Sequence, residues 1–99
     1  MSDVTYGSYL ALDELLSLLR PRSSPEHPDE LLFIVVHQAS ELWFKSLLHE
    51  LDGLFDALQR RDAGMSLWYM KRINALMRIV SEQLSSLEML PPQHFAQFR

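Results

Sequence analysis

The sequence has no cysteine and only three glycines among its 99 residues. Without cysteine, neither a disulfide-stabilised scaffold nor a cysteine-based zinc site is possible. The first ten residues, MSDVTYGSYL, lack the basic and apolar regions of a secretory signal. The longest apolar run, residues 31–36, is far shorter than a membrane-spanning segment of roughly 18 residues. These absences predict a soluble protein of the cytoplasm.

Basic charge is also scarce, because nine Lys and Arg face thirteen Asp and Glu and the formal net charge is −4. The one basic cluster, Arg60-Arg61 followed by Lys71-Arg72, is small and flanked by acidic residues. Nucleic-acid binding requires a clustered basic face, so this charge pattern disfavours it.

Apolar residues are plentiful by contrast, at 47% of the chain with five Phe, three Tyr and two Trp. A chain of this size forms at most one small domain and buries roughly 60–70% of its unfolded surface. The apolar surplus therefore predicts that some of this surface is covered by a partner chain, a further segment or a ligand.

Helical periodicity predicts three helices, at about residues 9–19, 29–60 and 65–90, and no strand. The proline-rich segment RPRSSPEHP separates the first two, RRDAG forms the next turn, and Pro91-Pro92 ends the third helix. The predicted fold class is all-α, in a single domain over residues 1–99. A short N-terminal arm and helix precede a long antiparallel helical hairpin.

Two apolar stripes are predicted to form the contact within the hairpin. The stripe on the second helix consists of Val36, Trp43, Leu47, Leu51, Leu54 and Leu58. The stripe on the third consists of Leu67, Met70, Ile73, Leu76, Met77, Val80, Leu84 and Leu87. Gly53 interrupts the second helix and is expected to cost about 1 kcal/mol relative to alanine.

Polar side chains recur every four positions on the second helix, from His37 through Glu41 and Lys45 to His49. The ordinary interpretation is a solvated helix face on which Glu41 and Lys45 form an i,i+4 pair. The alternative is a metal site, which needs converging ligands from another helix. No Glu-x-x-His pair occurs in the sequence, so a di-iron carboxylate site is disfavoured.

His37 differs from the other histidines because its neighbours along the chain, in LFIVVHQASELWFK, are apolar and aromatic. A lone histidine in such a stretch is more often a core residue with a satisfied hydrogen bond. The other interpretation is a cavity in which a ligand binds. No catalytic Ser-His-Asp order, glycine-rich phosphate loop or cysteine nucleophile offers a rival chemistry. Residue types and spacing leave both interpretations of His37 open.

Three stretches carry a family resemblance: TYGSYLALDELL at residues 5–16, DELLFIVVHQASELWFKSLLHEL at 29–51, and FAQFR at 95–99. In this order and spacing they closely resemble the N-terminal part of tryptophan 2,3-dioxygenase. The resemblance implies a portion of a larger all-helical fold and a homotetrameric enzyme with haem b. Such an enzyme inserts O₂ across the indole C2–C3 bond of L-tryptophan and yields N-formylkynurenine, in the kynurenine pathway of tryptophan catabolism.

The resemblance also implies roles for individual residues. His37, the implied catalytic residue, is expected on the distal side of the haem, where it accepts a hydrogen bond from the indole N–H. Phe33 is expected to pack on the indole ring, and Arg99 to bind the substrate carboxylate through its forked guanidinium. The implied substrate-binding set is Phe33, Ile34, Val35, Val36, His37, Phe95 and Arg99. The arm residues implied to enter a neighbouring subunit's pocket are Tyr6, Tyr9 and Leu10.

The sequence departs from the family pattern at several positions. Residue 95 is Phe where the family usually has Tyr, and His27-Pro28-Asp29 replaces a histidine directly before Asp-Glu. The sequence ends at Arg99, whereas the family's proximal haem-ligating histidine lies further downstream, so no metal ligand is implied here.

Three hypotheses follow from these departures. The first is a truncated dioxygenase that is inactive by itself. The alternative is a stand-alone helical oligomerisation or interaction module derived from the enzyme. The third is a small metal- or haem-binding bundle that uses His37 or His49 as a ligand.

Overall fold

The computed structural model describes residues 3–90, and each element in this range is helical. The elements are α1 (Tyr6–Tyr9), α2 (Leu12–Ser17), α3 (Glu30–Gln59), α4 (Ala63–Ser85) and a 3₁₀ turn (Ser86–Met89). The all-α class and the long helical hairpin, formed by α3 and α4, are thus confirmed.

The helix predicted over residues 9–19 is confirmed only over Leu12–Ser17, as α2, and the additional short helix α1 precedes it. A capping box starts α1, because the Thr5 hydroxyl accepts from the Ser8 N–H at 3.1 Å and the Ser8 hydroxyl accepts from the Thr5 N–H at 3.0 Å. Ala11 then adopts a left-handed backbone conformation with φ of 51°, which separates α1 from α2. Periodicity of leucines does not report such a backbone reversal.

The turn between α3 and α4 needs only three residues because it satisfies backbone groups of both helices. Arg61 adopts a left-handed conformation with φ of 56°, and the Asp62 N–H donates to the Ala57 carbonyl at 2.9 Å. The Asp62 carboxylate in turn accepts from the Met65 N–H at 3.0 Å and caps α4. Helix α4 consequently runs back along α3.

The contact between α3 and α4, here called the seam, follows alternating steps of four and three residues. Its positions on α3 are Val36, Ser40, Trp43, Leu47, Glu50, Leu54 and Ala57, which are buried or half-buried. Its positions on α4 are Ser66, Tyr69, Ile73, Leu76, Val80, Gln83 and Leu87, which continue into the 3₁₀ turn.

The seam lies partly one residue away from the predicted stripes. Leu51 and Leu58 were expected in the contact, but they are 41% and 53% exposed. Small and polar residues occupy several seam positions instead, and the buried Gln83 Oε1 has no hydrogen-bond partner among residues 3–90, whereas the two buried serines are satisfied. The hydroxyl groups of Ser40 and Ser66 donate to the carbonyls of Val36 and Asp62, each at 2.7 Å.

An ion pair between a buried carboxylate and a half-exposed guanidinium, together with a close ring contact, joins the middle of the two helices. The Arg72 guanidinium lies 3.1 Å from the buried Glu50 carboxylate and 4.9 Å from the centre of the Trp68 ring. One turn away, the Tyr69 ring lies so close to Gly53 that a Cβ there would come within 2.5–2.7 Å of it. Gly53 is therefore the residue that lets the helices approach.

The apolar residues that lie outside the seam form a second surface, here called the open face. Its members on α3 are Phe44, Leu48, Leu51, Phe55 and Leu58, and those on α4 are Leu67, Met70, Met77 and Leu84, all exposed. Each follows a seam position by one residue, so it is rotated by about 100° from the seam. Because the helices are antiparallel, this rotation brings both sets to the same side of the hairpin.

Among residues 3–90, α3 is the one helix that is long and apolar enough to cross a membrane by length and composition alone. The core helix of a water-soluble protein passes the same test. Length and composition alone are therefore weak evidence for a membrane role of α3.

We predict that Gly53→Ala lowers the free energy of unfolding by about 1–3 kcal/mol, because the new methyl group would overlap the Tyr69 ring. Gly64→Ala is the matched control, since its Cβ would meet nothing closer than 3.7 Å. It should raise the free energy of unfolding by up to about 1 kcal/mol through helix propensity. Urea unfolding followed by circular dichroism measures both, and a Gly53→Ala protein as stable as the parent would contradict the account.

Candidate functional site

The site is built on the first two turns of α3, where Phe33 and His37 lie one helical turn apart. Their ring centres are 4.3 Å apart, and the ring planes are inclined by 34°. The His37 Nδ1 lies 2.8 Å from the Phe33 carbonyl oxygen. Because a carbonyl only accepts, Nδ1 carries the proton and donates it in this hydrogen bond.

This hydrogen bond determines what the rest of the imidazole offers. In the neutral ring with the proton on Nδ1, Nε2 is a hydrogen-bond acceptor. The His37 side chain is exposed, so it is a surface group rather than a core histidine. The pair thus presents an acceptor nitrogen beside an aromatic ring, which suits a flat apolar ligand that has one N–H donor.

The other residues of the implied substrate-binding set point in different directions. Val36 is 5% exposed and lies in the seam with α4, and Ile34 is half-buried. Val35 lines a cleft between α2 and α3. The structure therefore brings Phe33 and His37 together and separates them from Val35 and Val36. Phe95 and Arg99 lie outside the described residues, so their roles stay predictions.

A cleft with a mainly apolar lining lies between α2 and α3. It has a volume of about 200 Å³ and is lined mainly by leucine side chains, including Leu15 and Leu19. At its edge the Gln38 side-chain amide donates to the Leu18 carbonyl at 3.1 Å, which holds the end of α2 on α3. Ligand pockets usually measure roughly 300–1,000 Å³, so this cleft is smaller than a usual ligand site.

Glu30 forms a buried polar centre two turns before His37. Its carboxylate accepts hydrogen bonds from the Arg22 N–H at 2.7 Å, from the Ser23 N–H at 3.0 Å and from the Ser23 hydroxyl. These hydrogen bonds hold the pKa of the Glu30 carboxyl below its usual value. The bond from the Arg22 N–H has the largest effect. No sequence motif indicates this centre, because partners seven and eight residues away match no capping pattern.

The His, Asp and Glu side chains of the described residues do not converge on a metal-ion site. Within residues 3–90, no group of three or more His, Asp or Glu side chains is placed to hold a metal ion. The Nδ1 of His27 accepts from the Asp29 N–H at 3.0 Å, and His49 is exposed on α3 with Glu41 and Lys45. The exposure of these last three residues agrees with a solvated helix face.

Known proteins that are similar to this chain include members of one family. The family model described as tryptophan 2,3-dioxygenase matches residues 1–99. A tryptophan 2,3-dioxygenase of Anaeromyxobacter sp. (strain K) is 52% identical over 96 residues, which cover 97% of this chain and 36% of the relative. One of Herpetosiphon aurantiacus is 50% identical over 97 residues, covering 97% of this chain and 37% of the relative. The chain thus spans little more than a third of the length of these curated relatives.

We predict that neutral His37 exists as the Nδ1–H tautomer, because only that form can donate to the Phe33 carbonyl. A long-range ¹H–¹⁵N correlation spectrum of the histidine rings identifies the protonated nitrogen. His49, which is exposed on the same helix, serves as the reference for a ring without this bond. A spectrum in which the His37 proton resides on Nε2 would show that the acceptor faces the helix and not a ligand.

Proposed function

Because the chain belongs to the tryptophan 2,3-dioxygenase family, we propose that it supplies the substrate-binding helix of a haem-dependent dioxygenase. The proposed substrates are L-tryptophan and O₂, and the proposed product is N-formylkynurenine. One observation carries the proposal: His37 is exposed beside Phe33, and its Nδ1 bond leaves Nε2 as an acceptor.

The chemistry of the pair matches the indole group at two points. Indole has a flat apolar ring, which packs against an aromatic side chain, and a single N–H, which donates to an acceptor nitrogen. A hydrogen bond between neutral groups contributes about 0.5–1.5 kcal/mol, which is enough to orient a ring but not to bind it alone. We therefore propose that His37 orients the indole, and that Arg99 contributes more affinity by binding the carboxylate.

Haem b is proposed as the cofactor on the basis of family membership alone. When bound, haem iron supplies the site at which O₂ is activated. The described residues are given no part in holding it, since they form no metal site among themselves. We propose that the described residues bind and orient L-tryptophan.

We further propose a homo-oligomer of at least two chains in the cytoplasm. The open face supports this proposal, because isolated soluble chains rarely expose so many large apolar side chains on one side. Tyr6 and Tyr9 of α1 are also strongly exposed, and Leu10 follows them. These three arm residues are proposed to dock on a neighbouring chain.

The open face also favours a second candidate function. A helical oligomerisation or interaction module without enzymatic activity would use the same surface. The two candidates differ at His37 and Phe33, since a module needs no acceptor nitrogen beside an aromatic ring. Specific binding of L-tryptophan distinguishes them.

For assembly, we predict that light scattering of the purified protein at tens of micromolar gives the mass of a dimer or larger species. Replacing Leu48 and Phe55 of the open face by Ser should shift this equilibrium towards smaller species, because both side chains are exposed in one chain and lie outside the seam. A monodisperse monomer for the unsubstituted protein would refute the proposed assembly.

For substrate binding, we predict that Arg99→Lys weakens L-tryptophan binding by about tenfold or more, because lysine keeps the charge but loses the paired hydrogen bonds. His37→Ala should cost less, within about tenfold, since it removes one hydrogen bond to a neutral N–H. Steady-state kinetics of the full gene product measures both effects.

The control for this prediction is 1-methyltryptophan, which has no indole N–H to donate. On this substrate the His37→Ala effect should disappear, whereas the Arg99→Lys effect should persist. If His37→Ala costs as much on 1-methyltryptophan as on tryptophan, His37 does not bind the indole N–H.

A further inference from the structure

We infer that Glu30 is a positioning residue for the Phe33–His37 pair. Its carboxylate fixes the connector between α2 and α3, residues 18–29, beside that pair. The inference rests on the proposed function, since it takes the pair as the binding site of the indole.

The helix geometry places Glu30 on the same side of α3 as the pair. Glu30 precedes His37 by seven residues, so the two differ by about 20° around the helix axis and by about 10 Å along it. Phe33 lies between them. A segment bound to the Glu30 carboxylate therefore lies at the N-terminal end of the helix face that carries His37.

Two hydrogen-bonded ties hold the connector along α3. At one end the Gln38 amide donates to the Leu18 carbonyl at 3.1 Å. At the other end the Glu30 carboxylate accepts from the N–H groups of Arg22 and Ser23 at 2.7 and 3.0 Å. Residues 18–23 thus run antiparallel to residues 30–38 of α3, which include Phe33 and His37. The connector is therefore held along the helix turns that carry the pair.

The hydrogen bonds of Glu30 also connect the connector to the backbone at the N-terminus of α3. The Ser23 hydroxyl, which donates to Glu30, accepts from the His27 N–H at 2.8 Å. The His27 carbonyl accepts from the Glu30 N–H at 3.1 Å, which closes a ring of bonds around the helix start. The Phe33 N–H then donates to the Asp29 carbonyl at 3.1 Å. The connector and the first turn of α3 are therefore one hydrogen-bonded unit.

A carboxylate is needed at this position because it meets only donors. Glu30 is 4% exposed, and its two oxygens accept from two N–H groups and one hydroxyl. A glutamine would offer one acceptor oxygen and direct an NH₂ group at the remaining donors, which leaves buried donors unpaired. Helix α3 itself would persist, since the seam with α4 holds it.

The test compares Glu30→Gln with Glu41→Gln in the full gene product. Glu41 is the matched control, because it is an exposed carboxylate on the same helix, one turn after His37. Hydrogen exchange followed by mass spectrometry reports on the connector, and isothermal titration calorimetry gives the affinity for L-tryptophan. Glu30→Gln should speed exchange at residues 22–23 and weaken binding by about threefold to tenfold, whereas Glu41→Gln should do neither.

A double-mutant cycle separates positioning from a general loss of stability. In a His37→Ala background, Glu30→Gln should weaken binding by less than about twofold, because its effect passes through the pair. Ser23→Ala is a second variant that keeps the Glu30 charge and removes the hydroxyl, which donates to Glu30 and accepts from the His27 N–H. It should change exchange and affinity in the same direction as Glu30→Gln, by smaller amounts, and it tests the inference even where Glu30→Gln does not fold.

Each contrary outcome has a definite meaning. Faster exchange with unchanged tryptophan affinity would overturn the inference and leave the proposed function standing. An equal loss of affinity in the parent and His37→Ala backgrounds would also overturn it, because Glu30 would then act independently of the pair. Failure of the unsubstituted protein to bind L-tryptophan would overturn the proposed function, and the inference with it.

Discussion

The rotation of α3 about its own axis is the constraint on which the other features depend. The seam with α4 sets that rotation, because the Glu50–Arg72 ion pair and the contact of Tyr69 with Gly53 admit one register between the helices. With Val36 turned into the seam, the next residue, His37, necessarily lies about 100° away. The open face and the candidate site therefore occupy the same side of α3.

The proposed function uses three sides of this helix for three purposes. One side packs on α4 and supplies rigidity. A second receives the end of α2, which Gln38 ties to α3, whereas the Glu30 tie to the connector lies on the side of His37. The third carries Phe33, His37 and the open face, where the substrate and a further chain are proposed to bind. Rigid helices position functional side chains more accurately than loops do, which suits a site that must orient an indole ring.

Much of this architecture was predictable from the sequence. Prolines and the RRDAG segment gave the limits of the long helices to within a few residues, because proline cannot continue a helix and a short turn needs special backbone residues. The seam was less predictable, since its Ser40, Glu50 and Ala57 are acceptable only beside partners that satisfy or fit them. Apolar periodicity instead selected leucines such as Leu51, which are exposed.

The site was predictable only in part, for similar physical reasons. The role of His37 came from the family resemblance, whereas its tautomer needed the position of the Phe33 carbonyl. The Glu30 centre depends on backbone donors seven and eight residues away, and no local pattern encodes such a contact. Composition and periodicity do not predict where the tertiary structure places backbone N–H groups.

The orientation of the indole is the central claim, and a crystal structure of the full gene product with L-tryptophan tests it most directly. We expect the indole nitrogen to lie about 2.7–3.2 Å from the His37 Nε2, with the indole ring against Phe33. An indole nitrogen turned away from His37, or a protein donor bound to the His37 Nε2 in its place, would contradict the account.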